Sequence, residues 1–323
     1  MKACTHVGSL SIVDDINAEV RKQGLLAKDV ALGNVLVDMY AKHGALKKAR
    51  EVFEELPIRN VVSWTTIITG YLQHGFEFEA LKCFKQMQDE GISPDSVTYI
   101  CILKACGIVA SLEMGENIDA EIRKQGLLKK DLVLGSGLID MYAKCGAPEK
   151  AREVFELLPV RNVISWTALI AGYVRRGLCH EALECFRKMQ DEKLAADVVT
   201  YICVLKACGI VRSLDIGKEI DVKVRKQGLL RKDIVLGNAL LDMYVKCGAL
   251  KKAREVFDEI SSAGDIVTWT TLMAGYVQHG LGGKALKCFW NLKEKGVSPN
   301  VITYICALKA CGIVSSLETG KAI

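Results

Sequence analysis

The sequence predicts an all-α fold, a solenoid of stacked helix–turn–helix units. Three observations predict it. The phrase TYICILKACGIV at 98–109 returns as TYICVLKACGIV at 200–211 and as TYICALKACGIV at 303–314, so the 323-residue chain repeats with periods of 102 and 103 residues. Within each period, apolar residues recur at helical spacing between glycine and proline stops. Each short unit carries more apolar face than it can bury alone, so neighbours must stack.

The elements follow in order. Residues 1–29 open with MKACTHV, a clipped copy of the repeated phrase, and residues 30–60 form the first complete unit. In 61–95, Trp64, Ile67, Ile68 and Tyr71 mark one helix, and Ala80, Leu81, Phe84 and Met87 mark a second. Gly75 separates the two runs, Gly91 ends the second and Pro94 stops it, which makes a hairpin of 35 residues. Residues 96–131 give two more helices in 36 residues, and 132–162 give a pair in 31. The long period is therefore three unequal hairpins. The same order returns in 163–197, 198–233, 234–265 and 266–300, and 301–323 begins another unit.

Composition narrows the function classes. Half the residues are hydrophobic, five are proline, and the net charge of +5 permits an acidic partner such as RNA without demanding one. Most of the thirteen cysteines fall at repeat-equivalent places: Cys4, Cys106, Cys208 and Cys311; Cys101, Cys203 and Cys306; Cys83, Cys185 and Cys288; Cys145 and Cys247. Only Cys179 stands apart. An odd number spread this way reads as small core side chains in a reducing compartment, not as a disulfide framework. No C-x-x-C, H-x-E, phosphate-binding glycine loop or Ser/His/Asp arrangement occurs, and the five histidines lack metal-ligand spacing. No metal and no cofactor are therefore expected. No run of 18 apolar residues is present, so no membrane span is expected. Asp14 and Asp15 already sit inside a repeat, which argues against a signal or transit peptide in these residues. Trp64, Trp166 and Trp269 hold equivalent places and are expected to pack between helices.

A hairpin near this length fits two repeat families. Trp64, Tyr71, Ala80 and Phe84 keep tetratricopeptide offsets, but that repeat has a fixed length of about 34 residues. The alternating lengths resemble instead the P, L and S motifs of the PLS subclass of plant pentatricopeptide repeat (PPR) proteins. LIDMYAKCG at 138–146, AREVFELLP at 151–159, VISWTALIAGY at 163–173 and VLKACG at 204–209 carry the resemblance, which covers the whole chain. It implies a right-handed superhelix whose first helices line an RNA groove. S motifs then occupy 30–60, 132–162 and 234–265, and P motifs 61–95, 163–197 and 266–300. L motifs occupy 96–131 and 198–233, with partial L motifs at 1–29 and 301–323. The implied function is sequence-specific binding of single-stranded RNA for editing or processing in a mitochondrion or chloroplast. The family's C-terminal E/DYW extension would bring H-x-E and P-C-x-x-C around a metal, and neither occurs here. The chain is thus expected to be a recognition module without deaminase or nuclease activity, with editing factors or a deaminase acting in trans. The competing reading is a tetratricopeptide-like scaffold for peptides.

The resemblance assigns base reading to the fifth and last residues of each motif. The pairs are Asn34 with Asn60, Thr65 with Asp95, Ser136 with Asn162, Thr167 with Asp197, Asn238 with Asp265, and Thr270 with Asn300. Hydrophobic second residues would stack on bases: Val62, Val97, Val133, Ile164, Val199, Val235, Val267 and Ile302, with Ala31 the lone small one. The L motifs place Ile100, Ile202 and Ile305 at the fifth position. The chemistry is direct. Guanine and uracil present a ring N–H, which an ionised Asp accepts; adenine and cytosine present a bare ring nitrogen, to which an Asn amide donates. A short Thr or Ser leaves room for a purine, and Asn reaches a pyrimidine. The expected site is 5′-YGnAGnUA-3′. Its U rests on Asp265 as the last residue, a place Gly264 could also hold. A plainer role competes throughout, because Asp or Asn before a helix is what any N-cap requires. Finally, Leu308, Ile313 and Leu317 are expected to expose apolar surface at an uncapped end, inviting self-association.

Overall fold

An Asp or Asn stands immediately before each helix that opens a hairpin, and its side-chain oxygen accepts the free N–H groups there. The computed structural model describes the backbone of residues 2–260 and 265–321, and the side chains of residues 10–260 and 265–315. Among these residues the regular structure is helical, and it divides into two compact units.

Unit 1, Met1–Arg161, holds α1 (Lys2–Lys22), α2 (Val30–Lys42), α3 (Leu46–Glu55), α4 (Val61–Gln73), α5 (Glu77–Asp89), α6 (Ser96–Val109), α7 (Leu112–Lys124), α8 (Leu132–Lys144) and α9 (Pro148–Leu157). Helices α2, α4, α6 and α8 pack side by side as one layer. Helices α3, α5 and α7 each pack on their own partner and on the next first helix. Polar bridges tie this second layer together: Arg50 Nη2 donates to Gln86 Oε1 at 3.1 Å, and Gln88 Nε2 to Glu121 at 3.0 Å. Unit 2, Asn162–Ile323, repeats the plan with α10 (Val163–Arg175), α11 (Cys179–Asp191), α12 (Val198–Val211), α13 (Leu214–Lys226), α14 (Ile234–Lys246), α15 (Leu250–Ile260), α16 (Ile266–Gln278), α17 (Gly282–Glu294) and α18 (Val301–Lys321). There α10, α12, α14, α16 and α18 form the first layer.

Trp64, Trp166 and Trp269 are buried between helices. Trp64 meets Phe53 edge-on with ring centroids 4.7 Å apart, and Trp269 meets Phe257 at the same 4.7 Å. Close approach of neighbouring first helices needs glycine. A Cβ on Gly275 of α16 would fall 2.6 Å from Val245 Cγ1 and 2.7 Å from Cγ2 on α14. Valine is stiff about χ1 and has no flexible end to move aside. Gly275→Ala should therefore destabilise the protein by about 1–2 kcal/mol despite the better helix propensity of alanine. Gly283→Ala, where a Cβ meets nothing within 4 Å, should cost nothing. Urea midpoints measure both.

Two carboxylates lie buried between hairpins. Asp119 accepts from Tyr142 Oη at 2.8 Å and from Arg123 Nε at 2.8 Å. Asp221 repeats this with Tyr244 at 2.7 Å and Arg225 at 2.6 Å. Burial first, and the hydrogen bond to the aspartate second, push both phenols above the usual tyrosine range, so they stay protonated donors. The first copy differs, with Asn17 donating to Tyr40 at 3.0 Å and Tyr40 in turn donating to Asp14 at 3.0 Å.

The ends depart from expectation. The two internal copies of the repeated phrase break at Ala110 (φ 54°) and Arg212 (φ 55°), in the left-handed region. Such a residue costs roughly 1–2 kcal/mol without glycine. Packing of α7 on α8, and of α13 on α14, holds the break in place. By contrast α1 and α18 run unbroken through the equivalent residues 4–10 and 311–317. The C-terminal residues are thus a single helix, not the opening of a second one. Of the side chains expected to be bare, Leu308 is 72% exposed and Ile313 is half-buried beside Gly282. The Leu317 side chain lies outside the described residues.

Candidate nucleic-acid interface

Because each hairpin starts on a cap, its second and fifth residues lie in the first turns of a helix, three apart and on one face. The second residues are apolar yet open. Val62, Val97, Val133, Ile164, Val199, Val235, Val267 and Ile302 are all between 49% and 61% exposed, and Ala31 is exposed too. Water-facing β-branched side chains that recur in register form an apolar row on the first layer of each unit.

The last residues all serve as caps. Asp95 Oδ1 accepts from Thr98 N at 2.8 Å, Asp197 Oδ1 from Thr200 N at 2.7 Å, and Asp265 Oδ1 from Thr268 N at 3.1 Å. Asn60, Asn162 and Asn300 accept through Oδ1 from Ser63, Ser165 and Thr303 N at 3.0, 2.9 and 2.9 Å. Asp131, the last residue of the hairpin 96–131, caps α8 in the same way. The plain capping role is therefore realised at every position. With Oδ1 engaged at the helix start, an Asn keeps its Nδ2 donor for another partner, whereas an Asp keeps a second acceptor, Oδ2.

In three pairs the fifth and last residues are joined through a third side chain. Thr65 Oγ1 lies 2.7 Å from Thr98 Oγ1, which donates to Asp95 Oδ1 at 2.7 Å. Thr167 Oγ1 lies 2.5 Å from Thr200 Oγ1, which donates to Asp197 Oδ1 at 2.7 Å. Asn238 Oδ1 accepts from Thr268 Oγ1 at 2.7 Å, and Thr268 also reaches Asp265 Oδ1 at 3.3 Å. Asn34 with Asn60, and Thr270 with Asn300, are not joined in this way. Asn34 Oδ1 is buried without a hydrogen-bond partner, and Thr270 Oγ1 bonds to the carbonyls of Ile266 and Val267 in its own helix. Ser136 bonds to Leu132 O at 3.1 Å in unit 1, while Asn162 belongs to unit 2. Ile100 and Ile202 are half-buried and Ile305 is 45% exposed, with no polar group to offer. Gly264 lies outside the described residues.

The sequence reading missed the linking threonines. The pattern Asp or Asn followed three residues later by Ser or Thr marks them at Ser63, Thr98, Ser165, Thr200, Thr268 and Thr303. That spacing is the capping-box signature with a hydroxyl in place of a carboxylate.

One groove brings these features together. In unit 1 a concavity of about 320 Å³ is lined by Val62, Thr65, Thr69, Asp95 and Val97, among others. Two exposed valines from successive hairpins flank it, and a hydroxyl and a carboxylate lie between them. Such a slot suits a flat ring with a polar edge. Among the described residues, no group of three or more His, Cys, Asp or Glu could hold a metal ion, and no helix is long and apolar enough to cross a membrane.

Comparison with known proteins agrees with this arrangement. The sequence profile described as PPR repeat family matches residues 59–107, 161–209 and 264–312, and that described as PPR repeat matches 34–61, 136–163 and 238–265. Among curated relatives in Arabidopsis thaliana, pentatricopeptide repeat-containing protein At3g09040, mitochondrial, is 40% identical over 92% of this chain and 29% of its own length. Pentatricopeptide repeat-containing protein At4g18520, chloroplastic, is 34% identical over 100% of this chain and 51% of its own. The chain thus spans about half, or less, of these relatives. The crystal structure of the pentatricopeptide repeat protein PPR10 in complex with an 18-nt psaJ RNA element matches 92% of this chain and 44% of that one, with a TM-score of 0.74 at 18% identity. That likeness is one of fold, and the fold is an all-α helical repeat solenoid.

Proposed function

The chain belongs to the pentatricopeptide repeat family, and from that premise we propose that it binds single-stranded RNA in a sequence-specific manner, one base per hairpin. The observation that carries this reading is the slot lined by Val62, Val97 and the joined pair Thr65 and Asp95. A base entering it would stack between two branched apolar side chains and meet Asp95 Oδ2 at its Watson–Crick edge. The same logic extends along the row. Oδ2 of Asp95, Asp197 and Asp265 accepts a ring N–H, selecting G or U; Nδ2 of Asn60, Asn162 and Asn300 donates to a ring nitrogen, selecting A or C. Thr or Ser at the fifth position admits a purine, and Asn34 and Asn238 admit a pyrimidine.

In P, L and S terms, 61–95, 163–197 and 266–300 are P motifs, 30–60, 132–162 and 234–265 are S motifs, and 96–131 and 198–233 are L motifs that read no base. With the N-terminus at the 5′ end, the preferred site is 5′-YGnAGnUA-3′. The chain acts as the recognition part of an organellar system, in a mitochondrion or chloroplast, with editing or processing chemistry supplied by a partner or another domain. The names of relatives such as At3g09040, mitochondrial, and At4g18520, chloroplastic, support the compartment. Selection from a randomised RNA pool tests the whole reading. Enrichment of the stated site is expected; failure to enrich any RNA would return the chain to the peptide-scaffold reading.

A further inference from the structure

The three copies of the long repeat differ in charge at one place on the second layer. Lys284 and Lys287 of α17 correspond to Glu79 and Lys82 in the first copy and to Glu181 and Glu184 in the second. In the first copy the two residues close an ion pair of 2.8 Å between Lys82 and Glu79. In the second, both positions are acidic. In the third, both are lysines one turn apart, and neither has a carboxylate partner among the described residues. Like charges at this spacing repel by a few tenths of a kcal/mol, so the lysine pair is not explained by the stability of α17. Lys251 of α15, which is Lys47 in the first copy and Glu149 in the second, adds a cation without a carboxylate partner among the described residues to the same place.

These lysines line a groove of about 580 Å³ between α15 and α17, floored by the buried ring of Tyr276, with Arg254 beside them. Arg254 is already engaged with Asp258 at 3.0 Å. Glu255 is the one acidic residue of the lining and is exposed. The first turn of α17, Gly282–Ala285, holds no acidic residue, whereas α5 and α11 place Glu77, Glu79 and Glu181 there. The positive end of α17 is thus left uncompensated beside the lysines. Next to them on α17, Trp290 is 58% exposed, where the other copies carry Lys85 and Arg187. None of these residues belongs to the apolar row or the reading pairs.

We propose that this groove is a docking site for an acidic peptide segment of a protein partner, with Lys251, Lys284 and Lys287 receiving its carboxylates and Trp290 a neighbouring apolar side chain. Three cations converging on a concave surface attract a cluster of carboxylates far more strongly than isolated surface charges do. A peptide fits better than a nucleic-acid strand. The groove is a short pocket, not a track along which a row of phosphates could run, and its one acidic residue, Glu255, is already held by Lys252 at 2.6 Å. An exposed tryptophan beside lysines suits alternating acidic and apolar side chains.

Fluorescence anisotropy of a labelled Glu/Leu peptide, titrated with the full chain at low salt, tests the proposal. Saturable binding is expected, and Lys284→Glu/Lys287→Glu should weaken it by about tenfold or more. That variant installs the residues the second copy already carries on the same scaffold, so its helicity should be unchanged. Should it fail to fold, Lys284→Ala/Lys287→Ala serves in its place. Lys82→Glu/Lys188→Glu changes net charge equally elsewhere and should leave binding intact. No saturable binding by the parent chain, equal loss in both charge variants, or displacement of the peptide by a single-stranded RNA that itself depends on Lys284 and Lys287, would each overturn it.

Discussion

Replacing Asp95 by Asn should move the preferred base at its repeat from G to A, with a discrimination change of about 1–3 kcal/mol at that one position. The cap survives the exchange, because Asn Oδ1 accepts from Thr98 N as Asp95 Oδ1 does at 2.8 Å. What changes is the other side-chain atom, from an acceptor to a donor. Stability should therefore hold while specificity moves; denaturant unfolding measures the first, and binding to RNAs differing only at the second base of the site measures the second. Asp131→Asn makes the same chemical change at a cap of the same kind, where Asp131 Oδ1 accepts from Val133 N at 2.9 Å. Its neighbour at the fifth position is Ile100, which has no hydrogen-bonding group, so base preference there should stay flat. If both substitutions weaken every RNA alike, the caps are only caps.

The largest loss of stability is expected from Asp221→Ala. Asp221 is buried, holding Tyr244 at 2.7 Å and Arg225 at 2.6 Å. Its removal strands a buried phenol and an arginine and leaves a void, a combination that costs about 3 kcal/mol. Asp221→Asn retains an acceptor for Tyr244 and should lose less. Denaturant unfolding compares the two. A loss of only a few tenths of a kcal/mol for the alanine variant would show that water replaces the carboxylate and that the contact is peripheral.

Local signals made most of the architecture legible. Caps such as Asp95 and stops such as Gly91 are read within a few residues of where they act, and helical spacing of Trp64, Ile67 and Ile68 finds the buried face directly. The exposed row at the second position also follows from register alone. Pairings across distance were hidden. Tyr142 and Asp119 lie 23 residues apart, and a lone Asp on an otherwise polar helix gives no sign that a later hairpin will bury it. The threonine link was hidden for a related reason. Thr98 looks like an ordinary capping partner until the first helix of the preceding hairpin sets Thr65 at 2.7 Å from it. Equal sequence phrases also took unequal shapes, since the left-handed turn at Ala110 and Arg212 depends on a helix packed beyond it, which a residue pattern does not encode.

Under the proposed function, a cap that also reads a base shapes how such a chain changes over generations. Asp and Asn serve equally well as caps, so exchange between the two at Asp95 or Asn60 leaves the helix start intact. Their codons differ by one nucleotide, G to A in the first place. On the proposed reading, a single transition retargets one base of the site while the scaffold keeps its strength, and a lineage can follow a drifting transcript step by step.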